Sequence, residues 1–187
     1  MSDRFEISET TLSGLQVLER KPREDERGWI ERMFDSGDLA AVVGSRPIMQ
    51  VNRSLTRKEA TVRGLHYQVI PASEAKIVSC LRGSIFDVAV DVRRDSPTFL
   101  RWHAEVLSEE NRHSLFVPEG FAHGFETLVD DCELLYVHTA PYDPAAERGI
   151  HPLDPRIGIA WPLEVGHLSA RDSSQPPLGP EFTGVAV

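Results

Sequence analysis

One histidine, His66, stands in the segment of the chain best suited to chemistry, Arg63–Gln68 (RGLHYQ). If this segment is a strand, alternate side chains share a face, so Gly64 and Gln68 flank His66 on its own side. A glycine beside the ring leaves room for a ligand, and Arg63 adds a fixed positive charge three residues earlier. An imidazole that is neutral near pH 7 can serve as a general base. A lone histidine is equally compatible with a structural role in a core, because histidine occurs at every level of burial.

A second histidine, His123, lies in the segment 118–125 (PEGFAHGF), between Gly120 and Gly124. The two glycines are expected to let the backbone turn sharply and present the ring from a barrel wall. The spacing Pro-x-Gly-x-x-His resembles the second motif of cupin jelly rolls, where this histidine is often a metal ligand. The first cupin motif requires His-x-His and a following Glu, and residues 61–68 supply only His66. Two histidines without a placed carboxylate or cysteine make a poor zinc or iron site, so we predict no bound metal and disfavour a metal-dependent oxygenase or isomerase.

Short apolar segments of strand character recur at a spacing of roughly 10 residues, which is typical of a sandwich or barrel. The predicted strands cover residues 11–19, 29–34, 47–54, 61–68, 76–81, 84–92, 102–107, 114–118, 124–128 and 132–139. A short helix is predicted at 36–43 with Ser36 as its N-cap, and a polar turn or helix at 169–173. We predict one domain over residues 1–187, with a core at about 12–140 and a Pro- and Gly-rich C-terminal wrap at 141–187.

Composition restricts the classes of partner. The chain has 187 residues, of which 41% are hydrophobic and 26% charged, and this balance favours a folded globular protein. A net charge of −9 argues against nucleic-acid binding, which requires a basic surface. No apolar run approaches the ~20 residues of a membrane span. Cys80 and Cys132 are isolated within apolar segments, which favours buried thiols in a reducing compartment, and we expect a cytoplasmic protein.

The combined motifs resemble the dTDP-4-dehydrorhamnose 3,5-epimerase family, cupin-type sugar-nucleotide epimerases that work without metal. The resemblance spans about residues 12–172 in family order. It rests on the segments 25–28 (DERG), 50–52 (QVN), 63–68 (RGLHYQ), 75–76 (AK), 86–91 (FDVAVD), 96–99 (SPTF), 118–125 (PEGFAHGF), 157–162 (IGIAWP) and 168–172 (LSARD). It implies an all-β, cupin-type jelly roll with short peripheral helices, no cofactor and a nucleotide-linked 4-keto-6-deoxy sugar as substrate.

By this resemblance His66 is the base that removes the protons on C5 and C3 of the sugar, next to the C4 ketone. Asp172 holds its tautomer and stabilises the imidazolium. Tyr136 matches the proton donor on the opposite face of the sugar. Lys76 matches the residue near the enolate oxygen on C4, and His123 assists it.

The resemblance also implies how the nucleotide is held. Tyr142 matches the aromatic residue that stacks on the base. The diphosphate and nucleoside contacts correspond to Arg27, Gln50, Asn52, Arg63, Glu147 and Arg171. The family further implies a two-fold homodimer with strand exchange in the N-terminal half.

Several residues depart from the family pattern. Arg32 stands where the family usually has Glu, while Glu31 lies one place earlier and would face the other side of a strand. Ser79 replaces a frequent Arg, and Pro141 replaces an aromatic residue beside Tyr142. Nucleotide identity is therefore less well determined than the catalytic set. Two alternatives stay open, an epimerase acting at C3 or C5 only, and a non-catalytic sugar-binding cupin.

Overall fold

The computed structural model describes residues 3–187, in which short strands dominate and the two helices have four residues each. The strands are β1 (Phe5–Glu9), β2 (Gln16–Arg20), β3 (Arg23–Asp25), β4 (Gly28–Ile30), β5 (Gln50–Thr56), β6 (Val62–Gln68), β7 (Lys76–Arg82), β8 (Ser84–Asp91), β9 (Trp102–Ser108), β10 (His113–Val117), β11 (Phe121–Thr127), β12 (Cys132–His138) and β13 (Glu147–Gly149). The helices are α1 (Ala40–Val43) and α2 (Ala170–Ser173).

Two antiparallel sheets enclose the core. One has the strand order β1-β2-β10-β7-β12-β5 and the other β13-β6-β11-β8-β9, while β3 and β4 form a separate hairpin. Inward-facing apolar side chains from both sheets, such as Leu115, Leu134, Ile85 and Phe125, pack into one buried cluster. The predicted all-β jelly roll with short helices is therefore confirmed. No helix among residues 3–187 is long and apolar enough to cross a membrane.

Strand register brings the candidate chemical residues to one end of this sandwich. His66 on β6 lies directly opposite His123 on β11. In the other sheet, Tyr136 on β12 lies between Val78 on β7 and Asn52 on β5. Because alternate residues of a strand share a face, the inward positions of β5, β6, β7, β11 and β12 all point into the same space.

Two glycines allow β6 and β11 to approach each other beside the histidines. Gly64 has φ of +138°, and a Cβ there would lie 2.6 Å from Gly124 Cα and 3.0 Å from the His123 carbonyl oxygen. A Cβ on Gly124 would lie 2.7 Å from the Arg63 carbonyl oxygen. The prediction for Gly120 is supported, since it has φ of +77° in the turn before β11. Gly124 was predicted to let the backbone turn sharply, and this is wrong. It lies within β11, where the absence of a side chain allows close packing against β6.

We expect Gly64→Ala to destabilise the protein, since the new methyl group meets backbone atoms that cannot move aside. Overpacking of this kind costs about 1–3 kcal/mol in the free energy of unfolding. Gly28→Ala is the matched control, because Gly28 also has positive φ (+124°) but nothing lies within 4 Å of its Cβ position. Chemical denaturation should show the larger loss for Gly64→Ala, and equal losses would contradict the packing argument.

The N-terminal predictions need correction. The predicted strand 11–19 begins only at Gln16, because residues 10–15 form a turn in which the Thr10 hydroxyl bonds to the Leu12 and Leu15 backbone. The sequence analysis missed β1 entirely. The predicted helix at 36–43 is reduced to α1, and Ser36 is not its N-cap. Asp35 Oδ1 instead accepts hydrogen bonds from the amides of Gly37 and Asp38, which fixes a turn ahead of the helix.

Residues 141–187 contain β13, which the sequence analysis missed, and α2 where a polar turn or helix was predicted. β13 extends the second sheet by pairing with β6, with Gly149 opposite His66. Ile157 and Trp161 cover the outer face of that sheet, where they join the cluster of Leu65 and Tyr67. The C-terminal segment thereby returns to the strand that carries His66. The assignment of the whole chain to one domain stays a prediction.

Candidate active site

A cavity of about 330 Å³ opens between the ends of the two sheets. Its wall contains the residues that the sequence analysis singled out on five strands and in the segment around β13. The predicted site residues that line it are Asn52, Arg63, His66, Lys76, His123, Tyr136, Tyr142 and Glu147. Residues widely separated in sequence therefore meet in one space.

His66 and Asp172 form a hydrogen-bonded pair at this cavity. His66 Nε2 lies 2.7 Å from Asp172 Oδ1, and the carboxylate is buried while about a third of the imidazole is exposed. α2 positions the acid, since Ser169 caps the helix by accepting a hydrogen bond from the Asp172 amide at 3.0 Å. Burial opposes the charge on Asp172, but the hydrogen bond and charge of His66, together with hydrogen bonds to Ser169 and the Gly64 amide, lower the pKa of the carboxyl group. The ionised acid thus orients the ring and leaves Nδ1 to accept a proton.

A second histidine–carboxylate pair lies across β8 and β11. His123 Nε2 is 2.8 Å from Oδ1 of the buried Asp87. Burial raises the pKa of Asp87, and the neighbouring His123 offsets part of that rise. The His123 ring packs edge-on against Tyr136 at 6.4 Å between centroids. The orientation of the His123 ring in the cavity wall is therefore fixed by Asp87 and Tyr136.

Tyr136 is the acid candidate, and its environment keeps its proton in place. Burial raises the pKa of this phenol, and the contact with Ser54 offsets only part of the rise. The ring is fixed between His123 and His138, the latter stacked at 5.9 Å between centroids. A protonated phenol and a base are thus available in one cavity, which is what inversion at a carbon next to a ketone requires.

Lys76 supplies a cation in the same wall. It is buried, and its Nζ lies 2.8 Å from Glu74 Oε1. An ammonium held in a partly dehydrated cavity can stabilise negative charge that develops on a substrate oxygen. No group of three or more His, Cys, Asp or Glu side chains in the described part of the chain is arranged to hold a metal ion.

Comparison with known proteins gives a consistent result. The sequence model of the dTDP-4-dehydrorhamnose 3,5-epimerase family matches residues 9–179. The chain belongs to the dTDP-4-dehydrorhamnose 3,5-epimerase family. The enzyme of that name from Sinorhizobium fredii is 44% identical over 92% of each chain. A dTDP-4-dehydrorhamnose 3-epimerase from Streptomyces niveus is 37% identical over 86% of this chain and 78% of its own.

Solved structures of family members share the fold. The Legionella pneumophila 3,5-epimerase in complex with dTDP-4-keto-L-rhamnose superposes with a TM-score of 0.86 at 38% identity, covering 91% of each chain. A 3′-monoepimerase from Streptomyces bikiniensis, in complex with dTDP-quinovose, superposes with a TM-score of 0.84 at 35% identity, covering 90% of this chain and 85% of its own. The family thus includes enzymes named for one epimerised carbon and for two.

At the mouth of this epimerase-family cavity, Tyr142 is 55% exposed and its hydroxyl donates to Glu147 Oε2 at 2.6 Å. Arg171 pairs with the same carboxylate at 2.8 Å. Burial opposes the charge on Glu147, but Arg171 and Tyr142 together lower the pKa of this acid. Gln50 accepts from the Tyr142 amide at 3.0 Å and donates to Asn52 at 3.2 Å. These predicted nucleotide contacts therefore form one connected rim.

Arg27 does not reach this cavity within the chain. It lies in the turn between β3 and β4, with its side chain 84% exposed and paired to Asp25. The departure from the family pattern at Glu31 and Arg32 also lies elsewhere, whereas Pro141 adjoins Tyr142 at the mouth of the cavity. Glu31 is 3.2 Å from Arg20 Nε, and Arg32 pairs with Asp35 and Asp38. The role predicted for Arg27 therefore requires a second chain, or movement of the hairpin.

Glu74 and His138 also line the cavity, although no role was predicted for them from the sequence. His138 Nδ1 lies 2.8 Å from Glu74 Oε2. Burial by itself would raise the pKa of Glu74, but the hydrogen bond with His138 and the charge of Lys76 lower it to about 2. One signal could have identified His138, since it lies two positions after Tyr136 on a predicted strand and both must face the same side.

Proposed function

We propose that this protein epimerises dTDP-4-dehydro-6-deoxy-D-glucose at C3 and C5, forming dTDP-4-dehydro-L-rhamnose. The observation that carries the proposal is the His66–Asp172 pair in one cavity with a protonated Tyr136. His66 Nδ1 takes the proton from the carbon beside the ketone, and the electron pair moves onto the C4 oxygen as an enolate. Lys76 and His123 stabilise that oxygen, and Tyr136 returns a proton to the opposite face of the carbon.

A monoepimerase is the second candidate, since relatives of both kinds share this fold. The same base and acid serve either outcome, because the sugar must turn only enough to bring a second carbon to His66. The choice depends on how the sugar is seated and on the direction of the Tyr136 hydroxyl.

Proton NMR in deuterated water tests both candidates. With dTDP-4-dehydro-6-deoxy-D-glucose we expect deuterium to enter at C5 and at C3, with inversion at each, and the activity to survive treatment with EDTA. Deuterium at one carbon only would favour the monoepimerase. No exchange at either carbon would overturn the proposal and leave a non-catalytic sugar-binding protein.

We further propose that the working unit is a two-fold homodimer in which the β3–β4 hairpin of one chain reaches the cavity of its partner. The hairpin exposes Trp29 (59%) and Ile30 (67%), an apolar surface that association would cover. β5 is an edge strand of its sheet and also exposes Val51. This arrangement would bring Arg27 to a substrate. The two buried, unpaired cysteines support a reducing compartment such as the cytoplasm.

Co-expression of two inactive variants tests the exchange. A chain with Arg27→Ala and a chain with His66→Ala should form a mixed dimer in which one cavity carries both changes and the other carries neither. Random pairing then restores about a quarter of the wild-type sites. Each variant alone gives the baseline. A dimer whose mixed form stays at that baseline would mean that Arg27 serves its own chain or no site.

A further inference from the structure

A continuous line of polar contacts runs along one wall of the cavity from its interior to its mouth. Each side chain is within 3.4 Å of the next. In order, the line consists of Lys76, Glu74, His138, Asn52, Gln50 and the backbone amide of Tyr142. Its inner end belongs to the proposed chemistry and its outer end to the proposed nucleotide contacts. His138 lies where the two halves meet.

The position of His138 is closely defined. It shares the inward face of β12 with Tyr136, on which its ring stacks with an interplanar angle of 20°. Its side chain is 14% exposed, and Glu74 holds Nδ1 at 2.8 Å. Nε2 is therefore the ring atom turned toward the open space, where Asn52 Nδ2 lies 3.4 Å away. An imidazole fixed at one nitrogen and facing a cavity with the other is arranged to bind a ligand.

A bound substrate is expected to extend along the cavity wall past His138. A sugar whose reacting carbons lie between His66 and Tyr136, with its base on Tyr142, places its diphosphate between the two tyrosines. His138 stands between them along the chain, and its ring reaches from the Tyr136 ring to Asn52 on the rim. A diphosphate ester carries two negative charges, and a protonated imidazole is one of the cations that bind phosphate oxygens through charge-assisted hydrogen bonds.

We propose that His138, held in place by Glu74, is an additional substrate-binding residue that contacts the diphosphate as an imidazolium, so that nucleotide-sugar affinity falls as pH rises. This inference rests on the proposed function. Histidine loses its charge within the range of about pH 5–8, whereas the arginines that the family implies for the diphosphate stay charged. The substrate itself does not titrate in that range, because both phosphates are esterified.

The groups that face His138 determine the sign of the effect. The segment leading into β7 contributes Glu74, and β7 contributes Lys76. Its own strand contributes Tyr136, and β5 contributes Asn52, whose Nδ2 is a donor toward Nε2 and, like the charge of Lys76, disfavours the imidazolium. Across the cavity stand His66, His123, Arg63 and Glu147, together with the phenol of Tyr142. Glu74 is the one carboxylate in contact with the ring, and it favours the imidazolium.

The test is calorimetric titration with dTDP-glucose, which has the diphosphate and base but no ketone to react. From about pH 6 to about pH 8.5 the wild-type Kd should rise about tenfold, the size of one charge-assisted contact. His138→Gln should bind weakly at pH 6 and show no such rise. Glu74→Gln should move the midpoint of the transition to lower pH, because the carboxylate that favours the imidazolium is gone. His167→Gln is the control, since that histidine is exposed and outside the cavity.

A His138→Gln variant that keeps the wild-type pH dependence would overturn the inference and assign the effect to His66 or His123. An unshifted midpoint in Glu74→Gln would also count against it, since Glu74 would then not support the charge. If the wild-type protein turns over the keto sugar and His138→Gln binds dTDP-glucose normally, this inference alone is overturned. Wild-type protein that binds no dTDP-sugar at any pH overturns the proposed function together with it.

Discussion

His66→Ala is expected to lower kcat by about 10²–10⁴, the contribution of a positioned general base. The reason is that His66 holds one ring nitrogen 2.7 Å from the buried carboxylate of Asp172 and leaves the other nitrogen free to take the proton. Nucleotide binding should change little, because the rim around Tyr142 and Glu147 does not depend on His66. Steady-state kinetics together with dTDP titration measures the two effects separately.

His66→Asn separates loss of basicity from loss of volume, since the amide keeps a polar group beside Asp172 but cannot take a proton near pH 7. His167→Ala is a matched control on an exposed histidine and should leave kcat unchanged. A loss of only tenfold in both His66 variants would contradict the assignment of the base. A large loss of dTDP affinity in the same variants would instead mean that His66 organises the binding site.

The residues predicted to lie at the centre of the site are those whose local sequence indicates a strand and therefore the face on which the side chain lies. His66, Lys76 and Tyr136 lie on segments predicted as strands, and those strands form with small changes in their bounds. His123 lies one residue before the predicted strand 124–128, and β11 begins early enough to include it. Alternation then determines which side chains face inward. The His66–Asp172 contact was different, because nothing local indicates that residue 172 returns to β6. The family resemblance supplied that pairing, and the pairing of β13 with β6 together with the Ser169 cap of α2 accounts for it physically.

A role that depends on a partner distant in the chain could not be predicted from the sequence. Glu74 and His138 are 64 positions apart, and neither resembles a site residue until register places Lys76 opposite His138. Arg27 is the opposite case, because a role was predicted for it and its partner is not found within the chain. Its motif predicts a substrate contact, yet the hairpin that carries it is exposed and pairs only with itself within one chain. A contact between two chains produces no periodic pattern in the sequence of either chain.

Tyr136→Phe should separate proton exchange from inversion. The substitution removes one hydroxyl, while the ring keeps its packing between His123 and His138, so the position of the sugar should change little. His66 can still form the enolate, but the proton must then return from the face it left. In deuterated water we expect the mutant to exchange the sugar protons at C5 or C3 while inverting more slowly by about 10²–10⁴, the range of a positioned acid. Proton NMR follows both processes in one sample.

Tyr67→Phe is the matched control, since this variant loses the same hydroxyl from a buried tyrosine whose ring packs on the outer face of the sheet, and there exchange and inversion should stay coupled. Equal loss of exchange and inversion in Tyr136→Phe would mean that the phenol positions the sugar or stabilises the enolate. Unchanged inversion would give the acid role to Tyr142 or to a water. The structure favours separation, because burial raises the pKa of Tyr136 while Tyr142 at the exposed rim already donates its hydroxyl to Glu147. Tyr136 combines a buried phenol of raised pKa with a place beside the rings of His123 and His138.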